Sequence, residues 1–158
     1  MPERILVLGM GDVLRQDAGV GVHALEALYA ERWPDEVVFA HANGLSVQEF
    51  GALKGYSAVL VLDGFRGGRL PGTVYCLNEA DLDAGWGEAI SCSRKDLLHS
   101  LYAAELLGHK PELRVLGMEP EGWDWGPDLS ETTGAAFADF VAQARSELTN
   151  LLPLLGPN

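Results

Sequence analysis

The chain has 158 residues, enough for one hydrophobic core without staples, and its 47% apolar and 22% charged content is that of a soluble globular protein. Lys and Arg number 11 against 23 Asp and Glu, and the net charge of −12 argues against binding nucleic acid or an anionic membrane surface, both of which need basic patches. Two cysteines, Cys76 and Cys92, fit neither a disulfide scaffold nor a paired metal spacing; with no signal peptide at Met1-Pro2-Glu3-Arg4 and no membrane-length apolar run, the expected location is cytoplasmic.

The first stretch, Ile5 to Val22, reads ILVLGMGDVLRQDAGVGV. An apolar run of strand length ends in Gly9-Met10-Gly11, a polar turn covers Asp12 to Asp17, and Gly19-Val20-Gly21 opens a helical pattern. Val20, Ala24, Leu25, Leu28 and Tyr29 predict a helix over 18–31 that closes before Pro34. Val37 to Ala40 is a second short strand, running into His41-Ala42-Asn43-Gly44, and Ser46 suits the N-cap of a short helix to Leu53. Ala58 to Leu62 is apolar on both faces, as a central parallel strand covered by helices must be, and ends at Asp63.

Gly64 to Gly72 reads as a turn. Thr73 to Leu77 follows after too short a link for a parallel crossover, so it runs antiparallel to a neighbour or lies on the edge. Asn78 to Ala89 is acidic and reads as irregular. Ser93 with Asp96 resembles a capping box for a helix carrying Leu97, Leu98, Leu101, Ala104 and Leu107, which stops at Gly108. Leu113 to Met118 is the last strand, and Glu119 to Leu129 is a loop with two tryptophans and no basic residue. Ser130 caps a final helix with the stripe Phe137, Phe140, Val141, Ala144 and Leu148. The order β-α-β-α-β-β-α-β-α predicts a single domain over 1–158, a three-layer α/β/α sandwich around a five-stranded, mostly parallel sheet with one antiparallel strand.

The glycine loop fails the dinucleotide fingerprint, because the third glycine of G-x-G-x-x-G would fall on Leu14. The carboxyl ends of parallel strands share one sheet edge, which places the Gly9 loop, His41 and Asp63 near one another. His41, Asp63 and Asp17 are therefore candidates for a divalent-ion site, the alternative for His41 being an ordinary loop histidine. Asp63 also suits a simple turn cap. His99 lies six residues past Ser93, roughly 9 Å along the helix and roughly 240° around it, and faces elsewhere. Cys92 precedes a helix beside Arg94 and Lys95, a setting that activates a thiol, although no histidine is placed to act as its base. Trp123 and Trp125 are either partner anchors or cover for the end of the sheet.

Gly9-Met10-Gly11-Asp12-Val13-Leu14-Arg15-Gln16-Asp17-Ala18-Gly19-Val20-Gly21 resembles the N-terminal signature of the hydrogenase maturation proteases, G-x-G-N-x-L-x-x-D-[DE]-G-x-G. Val61 to Gly64, Pro71 to Thr73, the helix after Ser91, Gly117 to Pro120 and Leu129-Ser130 continue the resemblance in order over nearly the whole chain. It implies an endopeptidase that trims the C-terminal extension of a nickel–iron hydrogenase large-subunit precursor once nickel is inserted. Gly9, Gly11, Asp17, Gly19 and Gly44 then belong to the substrate-facing loops, and Asp63 is the catalytic carboxylate and metal ligand, with His41 a displaced second ligand. The other two ligand positions of the family fall on Ala18 and Ser93, which supply neither carboxylate nor imidazole. The resemblance thus implies no tightly bound cofactor, nickel or another divalent ion arriving through the substrate. The alternative is a non-catalytic relative serving as a binding or assembly factor.

Overall fold

Along β1 (Ile5–Met10) every residue is buried, and successive side chains enter opposite layers. Ile5 and Val7 join one apolar cluster, whereas Leu6, Leu8 and Met10 join the other. That two-sided burial makes β1 an interior strand. The computed structural model describes residues 3–42, 53, 55–91 and 93–156.

The remaining strands are β2 (Val37–Ala42), β3 (Ala58–Arg66), β4 (Val74–Leu77), β5 (Glu88–Ala89) and β6 (Glu112–Met118). The helices are α1 (Val20–Tyr29), α2 (Glu79–Ala84), α3 (Arg94–Leu106) and α4 (Glu131–Leu151). The main sheet runs β2-β1-β3-β6-β4. All its pairs are parallel except β4 with β6, so the segment expected to reverse does so at the edge. Leu25 and Leu28 of α1 pack with Phe140 and Leu148 of α4 on one face, and Leu82 of α2 packs with Leu97 and Leu101 of α3 on the other. This is the expected three-layer sandwich.

The expected end of the third strand needs correction. β3 continues through Asp63 and Gly64, which pair with Gly117 and Met118, and then Phe65 and Arg66 pair antiparallel with Ala89 and Glu88. The two-residue β5 is thus an addition to the five expected strands. Phe65 drives the extension, because its ring packs against Tyr75 and Trp86 at centroid distances of 5.1 and 5.5 Å. Nor is the stretch 78–89 irregular. Asn78 and Asp81 form a reciprocal capping box, and Gly85 ends α2 in the left-handed region at φ 83°. The helix expected over Ser46–Leu53 lies, apart from Leu53, outside the described residues.

The chain leaves β1 towards β2 on one side and resumes at β3 on the other. Helices on both faces and a reversal of strand order between β1 and β3 create a crevice at their carboxyl ends, the usual seat of chemistry in open α/β sheets.

Candidate active site at the carboxyl edge of the sheet

The loop after β1 turns at Gly11, whose φ of 133° and approach to the Ala18 carbonyl leave no room for a side chain. Asp12 accepts the Leu14 amide at 2.9 Å, and its own amide donates to the Ala18 carbonyl, so the polar turn folds on itself. A single 3₁₀ turn, Gln16–Gly19, then leads into α1. Gly21 lets α1 lie against the sheet: a Cβ there would stand 2.1 Å from the Leu62 carbonyl oxygen. Gly9 sits in β1 beneath Leu25, and Gly19 packs on the Val13 backbone. Gly44 lies outside the described residues.

Asp17 is 1% exposed and accepts hydrogen bonds from the amides of Glu121, Gly122 and Ser130 and from the hydroxyls of Ser130 and Thr133. Burial pushes its carboxyl up, but the donors from Thr133, Ser130 and Glu121 outweigh it and hold the group below its ordinary value. Backbone bonds reinforce the tie: Gln16 N donates to the Gly126 carbonyl, Gly126 N to that of Leu14, and Asp17 N to that of Gly122. The glycine loop and the segment 121–133 are therefore one unit. Ser130 precedes α4 as expected, but its hydroxyl serves Asp17 rather than the helix amides.

Asp63 is fully buried. Its Oδ1 accepts the Gly64 amide at 2.7 Å and its Oδ2 the Ser91 amide at 2.8 Å, while Ile90 N donates to the Gly64 carbonyl. These bonds fasten the segment before α3 to the end of β3. The local turn cap and the position at the switch point thus coexist in one carboxylate.

Alternation along the strands sets the candidate ligands apart. Asp63 follows the parity of Val61 and Phe65, facing the α2–α3 layer, whereas His41 follows Val37 and Phe39, facing the α1–α4 layer. The register His41–Gly9–Leu62 adds an intervening strand, roughly 10 Å of backbone separation. His41 and Asp63 do not meet, and the oxygens of Asp17 serve its amide and hydroxyl donors. Ala18 is buried in the glycine loop, Ser93 accepts the Asp96 amide as the N-cap of α3, and His99 is exposed on that helix. Among the described residues no group of three His, Cys, Asp or Glu side chains is placed to hold a metal. The described residues do not by themselves assemble a site for a resident ion.

Cys92 lies outside the described residues. Cys76 lies at an exposed position on β4, and partial desolvation of its sulfur, followed by the Glu147 carboxylate, pushes the thiol up to about 12, which disfavours the thiolate. The reading by motif missed Glu119 as a structural anchor: its Oε1 accepts Gly67 N at 2.8 Å, Arg69 N at 3.2 Å and the Tyr75 hydroxyl at 2.5 Å. Burial raises its carboxyl, and the bonds from Tyr75, Gly67 and Arg69 bring it below the ordinary value. The signal was its place in the Gly117–Pro120 block, directly after an apolar strand.

A mostly parallel, helix-covered sheet with an acidic residue at its switch point defines an α/β protein with a crevice where β1 and β3 diverge, the place where such folds usually keep their chemistry. The hydrogenase maturation protease model, HycI, matches residues 22–147, and the chain belongs to that family. It is 32% identical over 133 residues to the hydrogenase expression/formation protein HupD of Rhizobium leguminosarum bv. viciae, covering 80% of this chain and 65% of that one. The chain thus spans less than two thirds of that relative's length. The hydrogenase 2 maturation protease of Escherichia coli (strain K12) is 28% identical over 149 residues, 92% of this chain and 90% of that protein. The solved hydrogenase maturating endopeptidase HybD from E. coli superposes with a TM-score of 0.79 at 26% identity, covering 93% of each chain.

Proposed function

We propose that this chain is an endopeptidase that removes the C-terminal extension of a nickel–iron hydrogenase large-subunit precursor. The observation that supports this best is its likeness to the endopeptidase HybD, which covers 93% of each chain. The whole of 1–158 acts as one hydrogenase-maturation-protease-like domain, working in the cytoplasm on its precursor. Nickel belongs to the substrate in this reading, because Ala18 and Ser93 offer no ligand for a resident ion. Asp63 is the acidic residue of the reaction edge, and Gly9, Gly11, Gly19 and Gly44 shape the loops that receive the precursor's backbone. Asp17 holds the glycine loop in place as a positioning residue.

The test is incubation of the full chain with nickel-loaded precursor, followed by intact-mass analysis. Loss of the extension is expected, and Asp63→Asn is expected to abolish it while circular dichroism shows a folded protein. An uncut precursor with nickel, with zinc and without metal would overturn the proposal. Stable co-purification of an uncut complex would instead identify an assembly factor.

A further inference from the structure

The acidic residue of the proposed reaction edge is sealed beneath a strap of its own chain. Asp63 is 0% exposed, and its Oδ2 accepts the Ser91 amide at 2.8 Å. One residue earlier, Ile90 N donates to the Gly64 carbonyl at 2.8 Å, and β5 pairs with Phe65 and Arg66. The Ile90 side chain lies on Gly64, where a Cβ would stand 2.4 Å from its Cδ1. The Asp17 carbonyl oxygen is 3.6 Å from the same point, so strap and glycine loop meet over the end of β3. A carboxylate enclosed in this way comes within reach of a precursor only when something moves.

The strap is the part built to move. β1 stops pairing with β3 at Leu62 and β6 stops at Gly64; β5 takes up the strand beyond them with two residues, fewer than a strand usually needs. Glu88 is exposed and Ala89, Ile90 and Ser91 are half-buried, whereas Asp63, Gly64 and Phe65 beneath them are buried. Gly85 and Gly87, at φ 83° and 66°, lie between α2 and β5 and supply hinges in a region that side chains resist. Between them Trp86 packs on Phe65 and Tyr75 at centroid distances of 5.5 and 5.8 Å, an anchor from which the rest can swing. Backbone pairing at a strand edge is also how an extended peptide is recognised, its main chain adding one strand to the sheet.

We propose that β5 occupies the place of the substrate: an extended segment of the precursor displaces residues 88–91, pairs through its backbone with residues 64–66, and so comes to lie against the Asp63 carboxylate. The ligand is a peptide strand, recognised by its main-chain N–H and C=O groups rather than by side-chain charge. β5 keeps the reaction edge shut until a chain able to replace its bonds arrives. The inference rests on the endopeptidase reading for the identity of that strand and deepens it by naming where the strand lies.

Hydrogen–deuterium exchange read by mass spectrometry tests the displacement on the full-length protein. Without precursor, the amides of 88–91 should exchange roughly a hundredfold or more faster than those of β1, as a locally opening segment does. With nickel-loaded precursor, 88–91 should lose protection while 65–66 keep theirs, because one strand replaces another there. Protection of 88–91 equal to that of β1, or left unchanged or increased by the precursor, would overturn the proposal. Opening that grows with protein concentration would assign the edge to a second copy and overturn it too. A disulfide supplies the second arm: Arg66→Cys with Glu88→Cys, in a Cys76→Ser, Cys92→Ser background, joins two exposed residues that face each other in register. Oxidised, this variant should bind the precursor roughly tenfold or more weakly than after reduction with a phosphine, since the open form is then withheld. Equal binding in the two states would overturn the strap. Exchange and binding are scored without cleavage, so displacement of 88–91 by a precursor that stays uncut upholds the proposal while the endopeptidase reading fails.

Discussion

The Asp17 carboxylate accepts the hydroxyl proton of Thr133 across 116 positions of sequence, tying the first loop of the chain to the first turn of its last helix. Both side chains are buried, and the same carboxylate gathers the Ser130 hydroxyl and the amides of Glu121, Gly122 and Ser130. A buried acceptor shared by so many donors makes the two loops move together or not at all.

Asp17→Asn is expected to destabilise the fold by about 2–4 kcal/mol, because either orientation of the amide turns an NH₂ group towards at least one buried N–H. Thr133→Val removes one donor and should cost about 1 kcal/mol. Urea titration at neutral pH measures both, and the double variant should fall short of their sum, since the two groups share a bond. Additive losses would show that they act independently.

The pH dependence has two limbs. The Asp17 and Glu119 carboxyls lie below their ordinary values of 3.8 and 4.5 in the folded chain. Their contribution is complete above those unfolded-state values and is lost as pH falls through the lower folded ones. The Tyr75 hydroxyl is raised above its ordinary 10.0, first by burial and then by its bond to Glu119. Its contribution is complete below pH 10.0 and is lost as pH rises through the folded value. Urea midpoints should therefore fall off at both extremes. Asp17→Asn should flatten the acid limb and leave the alkaline one, and a steeper acid limb in that variant would refute the assignment.

Tyr75→Phe isolates the second carboxylate cluster. It removes the hydroxyl but keeps the ring between Phe65 and Trp86, so packing stays and about 1–2 kcal/mol of charge-assisted bonding goes. The alkaline limb should shrink with it. A melting temperature unchanged within error would mean that the Gly67 and Arg69 amides alone hold Glu119.

Much of this architecture was legible because periodicity and strand apolarity are local signals. The all-buried β1, the short link that forces β4 to reverse, and the apolar stripe of α4 each follow from spacing alone. Asp63 was misread as a strand end because a polar residue before glycine resembles a terminator, whereas Phe65, two places on, supplies the burial that carries β3 forward. Asp17 stood out within a motif, but its use as a clamp depends on donors from 121–133, which no local pattern brings to it. Likewise Arg15 and Arg66 meet the tryptophan loop only through the fold.

A glycine of the first helix and one of the last should respond oppositely to the same change. At Gly21 an added methyl would stand 2.1 Å from the Leu62 carbonyl oxygen and 2.6 Å from that of Met10. Both are backbone atoms of strands held on either side, so α1 must lift from the sheet, and Gly21→Ala should cost about 3 kcal/mol or more. Gly134 lies inside α4, and a Cβ there meets nothing within 4 Å. Gly134→Ala gains helix propensity and reduces the freedom of the unfolded chain, so it should stabilise by about 0.5–1 kcal/mol. Thermal melts of the two variants decide the matter: Gly134→Ala should rise by about 1–4 °C and Gly21→Ala should fall by about 6 °C or more. A Gly21→Ala variant as stable as the parent would mean that the close seat of α1 on β3 is not what demands glycine there.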